Sequence, residues 1–184
     1  MKKAKTASIL ILCLALLSVL ASCGLEAEPA SEASGVSRLV TVDYPSEIAL
    51  TPHVVGSFAP EISVILSREE LIAYVSVYEK CYDFMDDSVT STFYDVVTGY
   101  DEAFFASQAL VVCVITAPNP EDRYVSEGIG RTPDGYDVRI RVRTSSSSSS
   151  EETAWHLFLE VPDSAAFLRD PSLLHTRFVS VKGY

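Results

Sequence analysis

The sequence predicts a small α+β domain, built mainly of antiparallel β-sheet with one long helix and one or two short helices. Three patterns support this prediction. Helical spacing behind a capping residue predicts a helix over about 67–80, and the apolar run Ala109–Ile115 predicts a central strand covered on both faces. Two alternating segments within Arg123–Arg143 predict a hairpin. Residues 38–184 are close to the usual size of one domain.

The residues before this domain follow a different pattern. Three lysines near the start precede an apolar run that ends at Leu20–Cys23, which reads Leu-Ala-Ser-Cys. A positive start, a short apolar stretch and small residues before the cleavage site are the parts of a secretory signal. A cysteine directly after them resembles the lipidation site of bacterial lipoproteins. Residues 1–22 are therefore predicted to be a lipoprotein signal peptide, and Cys23 is predicted to carry a lipid anchor.

Residues 23–37 are predicted to be an acidic, flexible tether. They combine small and acidic residues without an apolar period, and such a segment behaves as a coil with a reach of about 20 Å. The anchor would hold the domain on the extracytoplasmic face of a cell membrane. The sequence leaves open whether the envelope is Gram-positive or Gram-negative.

The charge of the chain argues against one class of partner. The net charge is −11, and all 25 acidic residues follow Cys23, so signal cleavage would leave a still more acidic protein. Such a protein repels nucleic acids and anionic lipid surfaces. We therefore expect no nucleic-acid partner.

The first part of the domain is predicted to hold two strands and the long helix. Arg38–Asp43 alternates as a short strand, and Ala59–Ile65 ends in another. Ser67 and Glu70 form a capping box, in which the serine accepts from free amides and the glutamate reaches back. Leucine, valine and tyrosine then share one helical face up to Lys80. Such a stripe is more often core than a ligand site.

A less regular segment follows this helix. Asp83, Asp86 and Asp87 lie close together, but they lack the glycine and the closing glutamate of an EF-hand loop. A solvated turn is predicted there, and no metal site. Thr90–Val97 fits either a strand or a short helix. Asp101 can cap one or two further helical turns before the central strand.

The second strand of the hairpin carries the candidate binding face. Its valines and isoleucine alternate with arginines, which places Arg139, Arg141 and Arg143 side by side on one face. This stripe could bind an anion or a carboxylate. Alternatively, it is a solvated face that pairs across strands with acids such as Glu127 or Glu160.

The chain after the hairpin is predicted to hold a mobile loop, a strand and two closing elements. Ser145–Ser150 is too polar to bury and too flexible to order at low cost. Ala154–Val161 alternates as a strand with its tryptophan and histidine on opposite faces. A short helix over Asp163–Leu168 and a strand over Arg177–Val181 are expected to complete the domain.

Cys81 and Cys113 are the two cysteines that could pair if Cys23 is acylated. An extracytoplasmic location permits a disulfide, yet Cys113 lies in the apolar run, where a buried thiol acts as a small apolar residue. Spacing alone cannot show whether the two thiols meet. A disulfide and two free thiols both remain open.

The sequence contains no recognisable catalytic motif. His53, His156 and His175 share no metal-binding spacing, and no nucleophile elbow or phosphate-binding loop is present. We therefore predict that the protein is not an enzyme and holds no cofactor or metal.

Two functions from different classes remain. One is a non-catalytic module that binds an envelope protein or peptide. The alternative is a small-molecule carrier or sensor with an aromatic-lined cavity. The side chains required for that cavity are Tyr74, Tyr78, Phe104, Phe105 and Trp155.

The order of the elements also carries a resemblance. A capped helix is followed by Tyr-Asp-Glu-x-Phe-Phe at Tyr100–Phe105, a Leu-Val-Val strand, an alternating hairpin, a polar loop and a strand ending Leu-Glu-Val-Pro. This order resembles a group of uncharacterised Gram-positive bacterial lipoproteins, and it is more remotely similar to the C-terminal domain of PrcB-type protease-complex subunits. The resemblance extends over Ile62–Asp163. It implies a small antiparallel β domain with helices and no established catalytic residues.

Overall fold

Two four-stranded sheets and a layer of helices form the domain in the structure, a computed structural model that describes residues 40–146 and 153–181. The predicted signal peptide, Cys23, the tether and most of the serine loop lie outside the described residues. The strands are β1 (Thr41–Val42), β2 (Ser46–Leu50), β3 (Ile62–Ile65), β4 (Gln108–Ala117), β5 (Arg123–Thr132), β6 (Gly135–Arg143), β7 (Thr153–Pro162) and β8 (Leu174–Val181). The helices are α1 (Arg68–Tyr78), α2 (Phe93–Val97) and α3 (Glu102–Phe105), and 3₁₀ turns occupy Ala166–Arg169 and Pro171–Leu173.

The strand pairing confirms the predicted α+β class. Sheet I has the order β1-β5-β6-β8, and sheet II has the order β2-β7-β4-β3. In the part of the chain that the structure describes, the strand pairs are antiparallel except β6 with β8, which run parallel. Within the described residues, one helix is long and two are short, as the sequence predicts.

Alternation along β4 and β7 divides the apolar side chains between two cores. Cys113, Trp155 and Leu157 lie in the core between the two sheets. Val112 and Phe158 lie on the other face of sheet II, in the core that the helices cover. Because both faces are buried, an unbroken apolar run is what a strand in this position requires. The prediction of a central strand is confirmed.

Helix α1 begins as the sequence predicts and ends two residues earlier. The Ser67 hydroxyl accepts from the Glu70 amide at 3.2 Å, and the Glu70 carboxylate accepts from the Leu66 amide at 2.7 Å, one residue before the cap. Leu71 and Tyr74 are buried. The stripe is therefore core, as expected.

Ser67→Ala should lower the free energy of unfolding by about 1 kcal/mol, because the Glu70 amide loses its acceptor. Chemical denaturation of the purified domain measures this change. Ser76→Ala is the matched control: Ser76 is exposed within the same helix, and alanine there should leave stability equal or slightly higher. Equal midpoints for the two variants would contradict the role of the cap.

The segment between α1 and β4 folds as two short capped helices. Of the two alternatives for Thr90–Val97, the helix is correct, because Thr92 and Asp95 form a reciprocal capping box before α2. The Asp101 carboxylate accepts from the Phe104 amide and begins α3. That predicted cap is confirmed.

Several predicted bounds change in the structure. The strand predicted over Arg38–Asp43 is β1, which is only two residues long in the described part, and the one predicted over Ala59–Ile65 is confined to β3. The strand predicted over Arg177–Val181 starts earlier, at Leu174, because all of β8 pairs with β6. The helix predicted over Asp163–Leu168 is a 3₁₀ turn. Strand β2 was not predicted.

Candidate functional site

The predicted arginine stripe lies on the face of sheet I that points away from the rest of the domain. Val138 and Ile140 are fully buried between the sheets, so the alternating arginines of β6 point outward. Arg141 and Arg143 are exposed, and Arg139 is half-buried. We call this surface the outer face of sheet I.

One carboxylate forms ion pairs with two of these arginines. Glu127 lies 2.7 Å from Nε of Arg141 and 3.7 Å from Nη2 of Arg139. It sits where the register of β5 against β6 shifts, between Ser126 and Ile129. The next residue, Gly128, has φ +88, and a Cβ there would overlap the carbonyl of Val42. This bulge holds Glu127 beside the arginines.

The second acid named for the stripe lies elsewhere. Glu160 belongs to β7 of sheet II, and its carboxylate accepts from the Tyr100 hydroxyl at 3.3 Å, on the helix-covered side. Pairing of the arginines with Glu160 is therefore wrong. Strand periodicity could not exclude it, because the choice of sheet depends on long-range pairing.

The parallel strand β8 adds an arginine that the sequence analysis missed. Arg177 is the register partner of Arg139, and its guanidinium lies 3.2 Å from the Asp137 carboxylate. Partners in adjacent strands share a face. The outer face therefore carries Arg139, Arg141, Arg143 and Arg177 with Glu127 and Asp137. Arg123 is the register partner of Arg143, and its guanidinium lies 5.7 Å from the centroid of the Trp155 ring.

The arginines of this face retain hydrogen-bonding capacity. Nε of Arg139 is buried and has no partner among the described residues, and its other contact, to the Thr41 hydroxyl, is 3.5 Å long. Arg141 lies between Val125 and Val179 across the neighbouring strands. The face thus combines guanidinium donors with small apolar side chains.

A second polar cluster lies inside the helix-covered core. The Thr51 hydroxyl is 2.6 Å from Nδ1 of His156, and the Tyr74 hydroxyl is 3.0 Å from Nε2. His156 is fully buried, and burial lowers its pKa to about 3. The imidazole is therefore neutral, with both nitrogens occupied. A general base has to reach a substrate, so we assign this cluster to the packing of the core.

The aromatic residues named for a carrier cavity do not surround one space. Trp155 packs between the sheets, 6.0 Å from Tyr124 between ring centroids. Tyr74 and Phe104 pack on the opposite face of sheet II. The sheet separates the two groups, so the predicted cavity is not formed by these residues.

Cys81 and Cys113 are free thiols in the structure. Cys113 lies in the core between the sheets, whereas Cys81 packs against the core under the helices. Burial raises the pKa of the Cys113 thiol to about 12, which keeps it protonated and unreactive. Of the two alternatives, the structure has free thiols rather than the disulfide.

Two of the three clustered aspartates form local turns. Asp83 accepts from the Met85 amide, and Asp86 accepts from the amide and hydroxyl of Ser88. These contacts are the side-chain to backbone bonds of Asx turns. Within residues 40–146 and 153–181, no group of histidine, cysteine or acidic side chains is arranged to hold a metal ion.

Comparison of the chain with protein-family models, with curated proteins and with solved structures gave no match. Among the described residues, no helix is long and apolar enough to cross a membrane. The resemblance to Gram-positive lipoproteins and to PrcB-type subunits stays a prediction.

Proposed function

We propose that this protein is a non-catalytic, lipid-anchored lipoprotein of the cell envelope. Its domain binds an acidic segment of an envelope protein or peptide through the outer face of sheet I. The anchor is Cys23, and the tether of residues 23–37 gives the domain its reach. The observation that carries the proposal is an excess of arginine on one exposed sheet face of a chain whose net charge is −11.

The composition of the face favours a carboxylate-bearing partner. Guanidinium groups bind carboxylates with two parallel hydrogen bonds, and Arg143 has no acidic partner among the described residues. The existing pairs are partly exposed, and such pairs contribute little to stability. An incoming carboxylate can therefore replace Glu127 at small cost.

Crosslinking in cells, followed by affinity capture and mass spectrometry, tests the proposal. The joint replacement of Arg139, Arg141 and Arg143 by glutamine should abolish capture of a specific partner. Glu127→Gln should increase capture, because it removes the internal competitor for Arg139 and Arg141. Binding should weaken as salt rises.

Arg169→Gln is the control for loss of a positive charge elsewhere, since Arg169 is exposed on a 3₁₀ turn away from the outer face. It changes the net charge without changing the face. A partner that is captured equally by the triple variant and by this control would refute the binding face. A decrease with Glu127→Gln would show that Glu127 itself contacts the partner.

A further inference from the structure

A second surface feature lies where β1, β5 and β6 approach the first 3₁₀ turn. It is an open cavity of about 320 Å³ with an almost entirely apolar lining. The lining includes Val42, Ile129, Tyr44, Tyr136, Phe167 and Arg131. It is separate from the outer face of sheet I, because Ile129 and Tyr136 point into the space between the sheets.

Three aromatic rings give the cavity a firm wall. Phe167 is buried and packs edge-on against Tyr44 and Tyr136, with centroid distances of 6.3 and 5.4 Å. Both tyrosines are only half-buried, and Val42 is 48% exposed. The cavity therefore exposes apolar surface to solvent, and the three packed aromatic rings fix the shape of its wall.

Arg131 is the one charged side chain among the described residues that line the cavity. It is two residues beyond Ile129 on β5, so strand alternation places it on the cavity side and not with the outer-face arginines. Its side chain is exposed and forms no ion pair among the described residues. Arg139, Arg141 and Arg177, in contrast, all contact a carboxylate.

We propose that this cavity binds a small amphipathic carboxylate from solution. The apolar body of the ligand packs against Tyr44, Tyr136 and Phe167, and its carboxylate pairs with the Arg131 guanidinium. Few polar groups in an apolar cleft are typical of small-molecule sites. At about 30 Å³ for each water-sized group, the volume holds roughly ten such groups, which matches the roughly ten non-hydrogen atoms of octanoate. This proposal does not depend on the proposed function, because it uses different residues.

Titration with octanoate tests the site, with calorimetry for affinity and NMR of Ile129 and Ala165 for location. Octylamine has the same apolar body and the opposite charge, so it should bind at least about tenfold more weakly. Arg131→Gln should weaken octanoate binding about tenfold. Arg143→Gln, on the outer face, should leave it unchanged.

Ala165→Phe adds a second test, because it places a ring in the cavity that Ala165 lines. It should abolish octanoate binding, while the NMR signals from the rest of the domain remain those of the folded protein. Vesicles of phosphatidylglycerol should not displace octanoate. Displacement by vesicles would assign the cavity to a membrane lipid and overturn the proposal. Absence of binding up to about 10 mM, or equal affinity after Arg131→Gln, would also overturn it.

Discussion

Between pH 6.5 and pH 4 the domain should lose about 3 kcal/mol of stability through His156 alone. Its pKa is about 3 in the folded protein, against 6.5 for an unperturbed histidine. In this range the unfolded chain binds a proton at His156 and the folded chain does not, so acid favours unfolding. The stabilisation is complete above pH 6.5, and it falls by about 1.4 kcal/mol per pH unit toward pH 3.

The surroundings of the His156 imidazole explain why it does not bind a proton in the folded protein. Nδ1 and Nε2 already face the hydroxyls of Thr51 and Tyr74, and the ring lies edge-on to Tyr82, Phe84 and Phe93. No carboxylate is hydrogen-bonded to the imidazole in the described part of the chain. An imidazolium there would be a buried charge without a counterion.

Urea denaturation at several pH values measures this effect, and His156→Gln separates it from the carboxylates that also titrate. The variant should be less stable at pH 7, because glutamine cannot reproduce both hydrogen bonds, and its stability should fall less steeply below pH 6.5. NMR of the wild-type imidazole gives a direct check that does not need the variant. Titration of His156 near pH 6.5 in the folded protein would contradict the prediction.

The elements that the sequence predicts well are those whose burial pattern is complete within one segment. Strand β4 is covered on both faces and is therefore uniformly apolar, whereas β6 is covered on one face and alternates. The α1 cap is equally local, because Ser67 bonds an amide three residues away. Such signals require no knowledge of the neighbouring strands.

The features that the sequence does not predict depend on partners distant in the chain. Strand β2 follows Pro45 and is defined by its register with β7, about a hundred residues later. The parallel pairing of β8 with β6 is equally non-local, and it alone brings Arg177 beside Arg139. The two-residue alternation of a strand places three arginines on one face. It cannot show that Glu127 shares that face or that Glu160 belongs to the other sheet.

The cavity beside Arg131 shows the same limit. The alternation along β5 predicts the face of the sheet on which the Arg131 side chain lies. Its aromatic neighbours Tyr44 and Phe167 come from segments far away in sequence. Only the packed sheets bring the charge and the rings together, so this site follows from the fold rather than from a motif.

Cys23→Ala should abolish lipid attachment and strongly reduce membrane retention of the protein. Two acyl chains hold a protein lastingly, because each buried methylene contributes about 0.8 kcal/mol. The apolar run Ala7–Leu20 would span only about 20 Å as a helix, less than the bilayer core of about 30 Å. It is therefore a poor substitute for the lipid as an anchor.

Metabolic labelling with a fatty-acid analogue, combined with membrane fractionation, measures the two effects. Label should be present on the wild type and on Cys81→Ala, which removes a cysteine of the folded domain, and absent from Cys23→Ala. Replacing residues 1–23 by the signal of an ordinary secreted protein should release the domain completely, since no uncleaved segment then remains. Label on Cys23→Ala, or membrane retention of the released form at high salt, would exclude Cys23 as the anchor.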